Sequence, residues 1–362
     1  MLYHLFYPLR DIFFGFNIFR YVTFRAAMAA FTSFVICLFV YPVLIRKLKA
    51  VNIGENIRKE DSAALYKLHQ DKQGTPTMGG ILLLAAILAS NFLWADITNR
   101  YIQISIFVLV WLGAVGFLDD YIKQIKKQSK GLTIRTKLIS QLVLGLIVGM
   151  FLFLSPQDST HIDIPFLKDL HLELGIFYIL FVALVICGSS NAVNLTDGLD
   201  GLAIGIVVMV ALSFSVLSYI SGHVQFSDYL FVPFLEGSAE LSIFCASIFG
   251  AGLGFLWFNC YPASIFMGDV GSLPLGGALG IVAVLIKKEL LLVIVGGIFV
   301  FEAISVILQV GSYRIRKKRI FRIAPLHHHL QFVGWQESKV IVRFWIIAAL
   351  LALLTLVTLK IR

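Results

Sequence analysis

The chain has 362 residues, 59% of them hydrophobic and only 14% charged, with a formal net charge of +9. A soluble domain carries about 25% charged residues, so a water-soluble fold is excluded and the bilayer is indicated. The strand-like alternation of an outer-membrane barrel is also absent.

Apolar stretches long enough to cross a hydrocarbon core of about 30 Å recur from end to end. Ten are expected, at 24–45, 77–95, 102–118, 136–154, 174–190, 201–220, 238–257, 270–286, 290–310 and 341–359. The expected fold is an all-α, polytopic bundle forming a single transmembrane domain over 1–362. No cleavable signal is expected, because Arg10, Arg20 and Arg25 break up the aromatic opening and no small-residue cleavage site follows.

Orientation is set by where Lys and Arg fall. With both termini outside, the inner loops hold seven (Arg46 to Lys72), six (Lys123 to Lys137) and eight (Arg314 to Arg343), 21 of the 30. The outer loop from Ser155 to Glu173 has one Lys against four acids, and that from Ser221 to Ser238 has neither Lys nor Arg. The positive charge is thus a topology signal that also suits anionic substrates and anionic lipid. No nucleic-acid partner is expected. Cys37, Cys187, Cys245 and Cys260 lie in or at the ends of apolar segments, without the spacing of a disulfide framework or a zinc ribbon.

Acids near membrane depth are costly and sit where function needs them. Asp119 and Asp120 end the third span, Asp197 and Asp200 lie between the fifth and sixth, and Asp269 opens the eighth. Helix capping accounts for one or two of these. Five carboxylates on one inner face are better explained by a divalent cation with oxygen ligands. Neighbours on a helix point about 100° apart, so Asp119 and Asp120 are not expected to bind one ion together. The spacing of three sets Asn194, Asp197 and Asp200 on one face if their turn is helical. Helix starts at Asp200 and Asp269 would add N–H donors suited to phosphate. Phe266, three residues before Asp269, could stack on a planar base or simply pack.

His327, His328 and His329 follow in the most basic loop. Three consecutive imidazoles cannot readily share one metal, but beside Arg314 to Arg322 they suit diphosphate and sugar contacts; the alternative is a solvated polar turn. Gly250, Gly252 and Gly254, like Gly276 to Gly280, look like a dinucleotide fingerprint but lie in apolar spans, where small residues permit close helix packing. Glu302 falls inside the ninth span and fits a buried, paired structural acid better than a catalytic one.

Nearly end to end, these residues resemble the phospho-N-acetylmuramoyl-pentapeptide transferases, of the wider polyprenyl-phosphate sugar-1-phosphate transferases. The blocks that carry the resemblance are Gly74-Thr-Pro-Thr-Met-Gly-Gly80, Phe117-Leu-Asp-Asp-Tyr121, Ser129-Lys-Gly-Leu132, Asn191 to Gly201, Phe266-Met-Gly-Asp-Val-Gly-Ser272 and Ala324-Pro-Leu-His-His-His329. Gly334-Trp335 and Val340-Ile-Val-Arg-Phe-Trp345 then resemble the muramoyl branch in particular. Leu330 and Gln331 depart from the aromatic and Glu of the family pattern.

The resemblance implies a ten-helix, homodimeric enzyme of the bacterial inner membrane, with a cytoplasmic-side site and periplasmic termini. It would transfer phospho-N-acetylmuramoyl-pentapeptide from its UDP carrier to undecaprenyl phosphate, releasing UMP and forming lipid I with Mg²⁺. Asp269 is the expected Mg²⁺ ligand, with Asp119 and Asp120 near the attacking lipid phosphate. The resemblance further suggests a uridine pocket of Lys72, Asp200, Asn259 and Phe266, with His327 and His328 by the diphosphate or sugar. Three other readings are weighed against this one. An N-acetylglucosamine-1-phosphate transferase shares the chemistry but not the histidine triplet and tail. A prenyl-transferring enzyme would need a further acid after Asp120, where Tyr-Ile-Lys stands. A proton-coupled transporter would want ionisable residues along a mid-bilayer path, whereas here they cluster at one face, with Glu302 the main exception.

Overall fold

The computed structural model describes residues 2–51, 54, 72–126, 131–155, 160–164 and 171–360. Arg58, Lys59 and Lys67 of the first inner loop, Lys127, Ser129 and Lys130 of the second, and most of the 155–173 loop lie outside the described residues. The architecture is all-α. Its main helices are α1 Val22–Ala50, α2 Gly80–Trp94, α3 Arg100–Gln124, α4 Ile134–Leu154, α5 Phe177–Thr196, α6 Leu202–Ser221, α7 Glu240–Asn259, α8 Asp269–Leu285, α9 Glu289–Val295, α10 Gly297–Arg316, α11 Leu326–Phe332 and α12 Glu337–Val357.

Eight of these, α1, α3 to α7, α10 and α12, are long and apolar enough to span a membrane, and α2 and α8 are shorter apolar helices. All ten expected spans are therefore helical, with two differences. The stretch at 290–310 is broken at Gly296, between α9 and α10, where Gly296-Gly297 puts two poor helix formers in succession. The third span runs on to Gln124, so Asp119 and Asp120 sit inside the helix, not at its end. Among the described residues the only sheet is a short antiparallel hairpin, β1 His161–Asp163 with β2 His171–Glu173, in the loop between α4 and α5.

Helices α6, α7 and α8 form the centre. From Val270 to Leu285 every residue of α8 is buried, whereas α1, α4, α10 and α12 turn Phe31, Phe39, Phe151, Ile307 and Leu353 outward. Apolar exposure on this scale is rare on soluble monomers and suits a lipid-facing rim. Helix α7 packs on α1 and α6, and α8 on α3 and α5. The glycines are what let the backbones approach. A Cβ on Gly250 would stand 1.9 Å from the Ala30 carbonyl, one on Gly254 2.5 Å from Cys37 Cβ, and one on Gly276 2.4 Å from the Ser189 carbonyl. These stripes are packing surfaces.

One buried ion pair ties the far end of this core together. Arg25 of α1 meets both carboxylate oxygens of Glu240 at the start of α7, at 2.9 and 2.5 Å. Such a fork-on-fork pair fixes geometry as well as charge.

Gly250→Val should therefore force α1 and α7 apart. Overpacking of this kind costs about 1–3 kcal/mol, which thermal unfolding in detergent would register as a fall in Tm. An unchanged Tm would mean that the close approach to Ala30 is not required.

Candidate active site

A group of charged residues collects where α3 finishes and α8 begins. The turn before α8 is built by the 74–80 block. Phe266 N–H donates to the Pro76 carbonyl at 2.8 Å, Gly79 N–H to Phe266 O at 2.9 Å, and Gly80 N–H to Met267 O at 2.9 Å. Gly80 lies so close to Gly271 that a Cβ there would come within 2.4 Å of its backbone. Glycine-rich sequence thus becomes a backbone-to-backbone clamp that aims Asp269. Gly268 precedes it at φ +75° and ψ 173°, a conformation only glycine adopts readily.

Asp119, Asp120 and Asp269 converge here, with one oxygen from each within 4.8 Å of the others. The expected divergence of Asp119 and Asp120 by about 100° does not keep their oxygens apart. Asp120 accepts the Val270 N–H at 3.0 Å, locking α3 to the first turn of α8. Asp119 is fully buried and accepts the Leu132 N–H at 2.7 Å. Its other oxygen meets Lys123 at 2.5 Å and Lys137 at 2.8 Å. The same two lysines reach Asp269, Lys123 at 3.4 Å and Lys137 in a close ion pair. Three carboxylates and two ammonium groups meet at this point. A hard-oxygen donor set of this kind fits a divalent cation.

Asp200 is not part of that cluster. Helix α5 ends at Thr196, Asp197 has φ −77° and ψ 53°, and Gly201 sits at φ +76°. The turn is not helical, so Asn194, Asp197 and Asp200 do not share a face. Asn194 Oδ1 accepts the Ser272 hydroxyl at 2.8 Å, while Asp197 is half-buried at the end of α5. Asp200, buried, pairs with Lys72 at 2.6 Å and accepts the Ala263 N–H at 2.9 Å. Lys72 also pairs with Glu337, which accepts the Asp200 N–H at 3.1 Å. Asn259 is committed to the backbone: Oδ1 accepts the Gly201 N–H at 3.0 Å and Nδ2 donates to Ile265 O at 2.8 Å. The structure thus places Lys72, Asp200 and Asn259 around one turn, next to the half-buried Phe266.

The three histidines ride on α11 and point three ways. His327 is fully buried, its Nδ1 3.2 Å from Glu302 Oε1. Its ring also closes on Gly198, where a Cβ would meet Nε2 at 2.3 Å. His328 shares a hydrogen bond with Gln331 at 3.0 Å, and His329 accepts the Arg322 N–H at 3.2 Å. Glu302 is the buried, paired acid its sequence position suggested.

Sequence reasoning counted Lys123 and Lys137 only as topology markers and passed over Glu337. Lys123 carried a signal, one helical turn after Asp119. Lys137 and Glu337 are distant in sequence from their partners and carried none.

A multi-pass helical bundle with a pocket of carboxylates, ammonium groups and imidazoles at one end defines an integral-membrane enzyme. Residues 102–287 match glycosyl transferase family 4, and residues 72–84 match signature 1 of the phospho-N-acetylmuramoyl-pentapeptide-transferases. Proteins of that name from Citrifermentans bemidjiense and Pelobacter propionicus are each 52% identical over 362 residues, and one from Desulforapulum autotrophicum is 50% identical over 363. All three alignments cover 100% of both chains. The chain belongs to the phospho-N-acetylmuramoyl-pentapeptide-transferase family and is a membrane transferase.

A methyl group at Gly268 would stand 2.4 Å from Asp120 Oδ2. Gly268→Ala should therefore displace Asp120 from Val270 and re-aim Asp269. Misplacement of about 1 Å costs a rate up to about a hundredfold, while stability should fall by only about 1–3 kcal/mol. Steady-state kinetics on folded protein would show it; an unaltered kcat would detach this turn from catalysis.

Proposed function

We propose that the protein transfers phospho-N-acetylmuramoyl-pentapeptide from its UDP carrier to undecaprenyl phosphate, giving lipid I and UMP in peptidoglycan synthesis. The observation that carries this reading is the meeting of Asp119, Asp120 and Asp269 in a chain matched end to end by phospho-N-acetylmuramoyl-pentapeptide-transferases. The Lys and Arg distribution supports a site on the cytoplasmic face of the bacterial inner membrane, with both termini outside. The homodimer rests on the family resemblance.

Phosphoryl transfer asks for positioning and charge neutralisation more than for covalent help. Asp269, with Asp119 and Asp120 beside it, would hold Mg²⁺, which supplies charge neutralisation to the donor diphosphate. Lys123 and Lys137, shared between Asp119 and Asp269, stand where the two substrates' phosphates must approach. A phosphate monoester has its second pKa near 6, so the attacking lipid oxygen is already ionised at neutral pH. Asp119, saturated by two ammonium groups and a backbone N–H, then serves to orient them and not to take a proton. Lys72 and Asp200 line the uridine side with Phe266, whose ring stacks on the base, while Asn259 holds the turn beneath. On the sugar side, His327 is set by Glu302 and Gly198, with His328 and His329 following it on α11. Asn194 and Asp197 position the α5 end between the two.

Purified enzyme given polyprenyl phosphate, Mg²⁺ and either UDP-N-acetylmuramoyl-pentapeptide or UDP-N-acetylglucosamine should release UMP from the first donor only. Equal release from both would assign the N-acetylglucosamine relative instead. Asp269→Asn should lower turnover about a thousandfold, since groups that stabilise transition-state charge contribute on this scale. Near-normal turnover would remove Asp269 from the ion's coordination.

Base stacking on an aromatic ring is worth about 1–3 kcal/mol. Phe266→Ala should accordingly weaken UMP binding about fivefold to a hundredfold, and Phe266→Trp should preserve it, as measured by calorimetry. Unchanged affinity in the Ala variant would leave Phe266 as a packing residue.

A further inference from the structure

A second group of metal-ligating side chains lies at the opposite end of the bundle. Helix α8 runs 17 residues away from Asp269, about 25 Å at the helical rise, and the α8–α9 turn that follows carries Lys287 and Lys288. Packed against that turn is the β1–β2 hairpin. Its register sets Asp163 opposite His171 and His161 opposite Glu173. His161 and Asp163 are two apart on one strand and so share a face with both cross-strand partners.

On that face two imidazoles converge on one carboxylate oxygen. His171 Nδ1 is 3.0 Å and His161 Nε2 3.5 Å from Asp163 Oδ1, and the ring centroids are 4.7 Å apart. Bonds of about 2 Å to one ion set its ligand atoms about 3–4 Å apart, as both imidazole nitrogens are from Asp163 Oδ1, and all three ligand atoms lie within 4.8 Å of one another. The other oxygen, Asp163 Oδ2, accepts from Lys288 at 2.9 Å, and both groups are buried. That ammonium fixes the carboxylate's orientation from behind, as outer-shell donors do at metal sites. It also means that Asp163 already has its counter-charge and needs no imidazolium. His171 is 43% exposed and His161 26%, so the open side faces solvent and an ion can enter. Glu173, on the same face, offsets the charge of Lys287 and Lys288.

We propose that His161, Asp163 and His171 form a zinc site on the face opposite the transferase centre, clamping the α4–α5 hairpin to the α8–α9 turn. Two imidazoles and one carboxylate are the donor set of a borderline-soft divalent ion and not of Mg²⁺, which separates this site chemically from the aspartate cluster.

The test uses full-length, tag-free protein in detergent with saturating Mg²⁺ and micromolar free Zn²⁺, assayed for bound zinc after equilibrium dialysis. One equivalent should be retained by wild type and by Asp269→Asn. His171→Ala, a change at the most exposed ligand, should lose that equivalent, with affinity down at least about a hundredfold, while lipid-linked product forms at the wild-type rate. Wild-type protein loaded with Co²⁺ should show the visible bands of a four- or five-coordinate ion, a readout independent of any variant's folding. Zinc retained equally by His171→Ala, zinc lost in Asp269→Asn, or only the faint spectrum of octahedral Co²⁺ would each overturn the proposal.

Discussion

Three carboxylates drawn together at the edge of a bilayer repel one another strongly, because the low dielectric strengthens every Coulomb term. The rest of the structure answers that constraint. Lys123 and Lys137 lie across Asp119 and Asp269, and Asp120 spends an oxygen on the Val270 N–H. With them the three carboxylates are held together beside two ammonium groups.

Holding such a cluster requires backbones placed to within fractions of an ångström, and the glycines and small residues accomplish this. Gly116 sits where any Cβ would strike the Asp269 carbonyl at 2.2 Å, and Gly80 meets Gly271 in the same way. Helix α8, buried from Val270 to Leu285, is the shaft to which α3, α5 and the 74–80 block are all fitted. Helix packing in lipid has no hydrophobic drive of its own and depends on such close approach.

Around this centre stand two further polar sets, each bridging elements remote in sequence. Lys72, Asp200 and Glu337 join the loop before α2, the α5–α6 turn and the start of α12. Glu302 and His327 join α10 to α11. Removing Lys72 would leave the buried Asp200 carboxylate without its counter-charge, at a cost of about 3–5 kcal/mol. Each set therefore fixes the elements it joins relative to one another.

The sequence by itself determined the class of fold, because a helix in lipid must satisfy its own backbone and the apolar runs are long enough to do so. It marked Asp119, Asp120 and Asp269 as costly residues, and it marked the glycine stripes as packing surfaces. Spacing alone set Asp200 on a helical face with Asn194 and Asp197, from which Gly201 at φ +76° turns the chain away, and it gave no sign that Glu337 joins Lys72 and Asp200. Nor could it couple Lys137 to Asp119, or bring His161 and His171 onto one oxygen of Asp163. Local periodicity is written in neighbouring residues and survives in any context. Charge pairing between helices depends on which backbones touch, and only the tertiary packing of α3, α8 and their loops decided that.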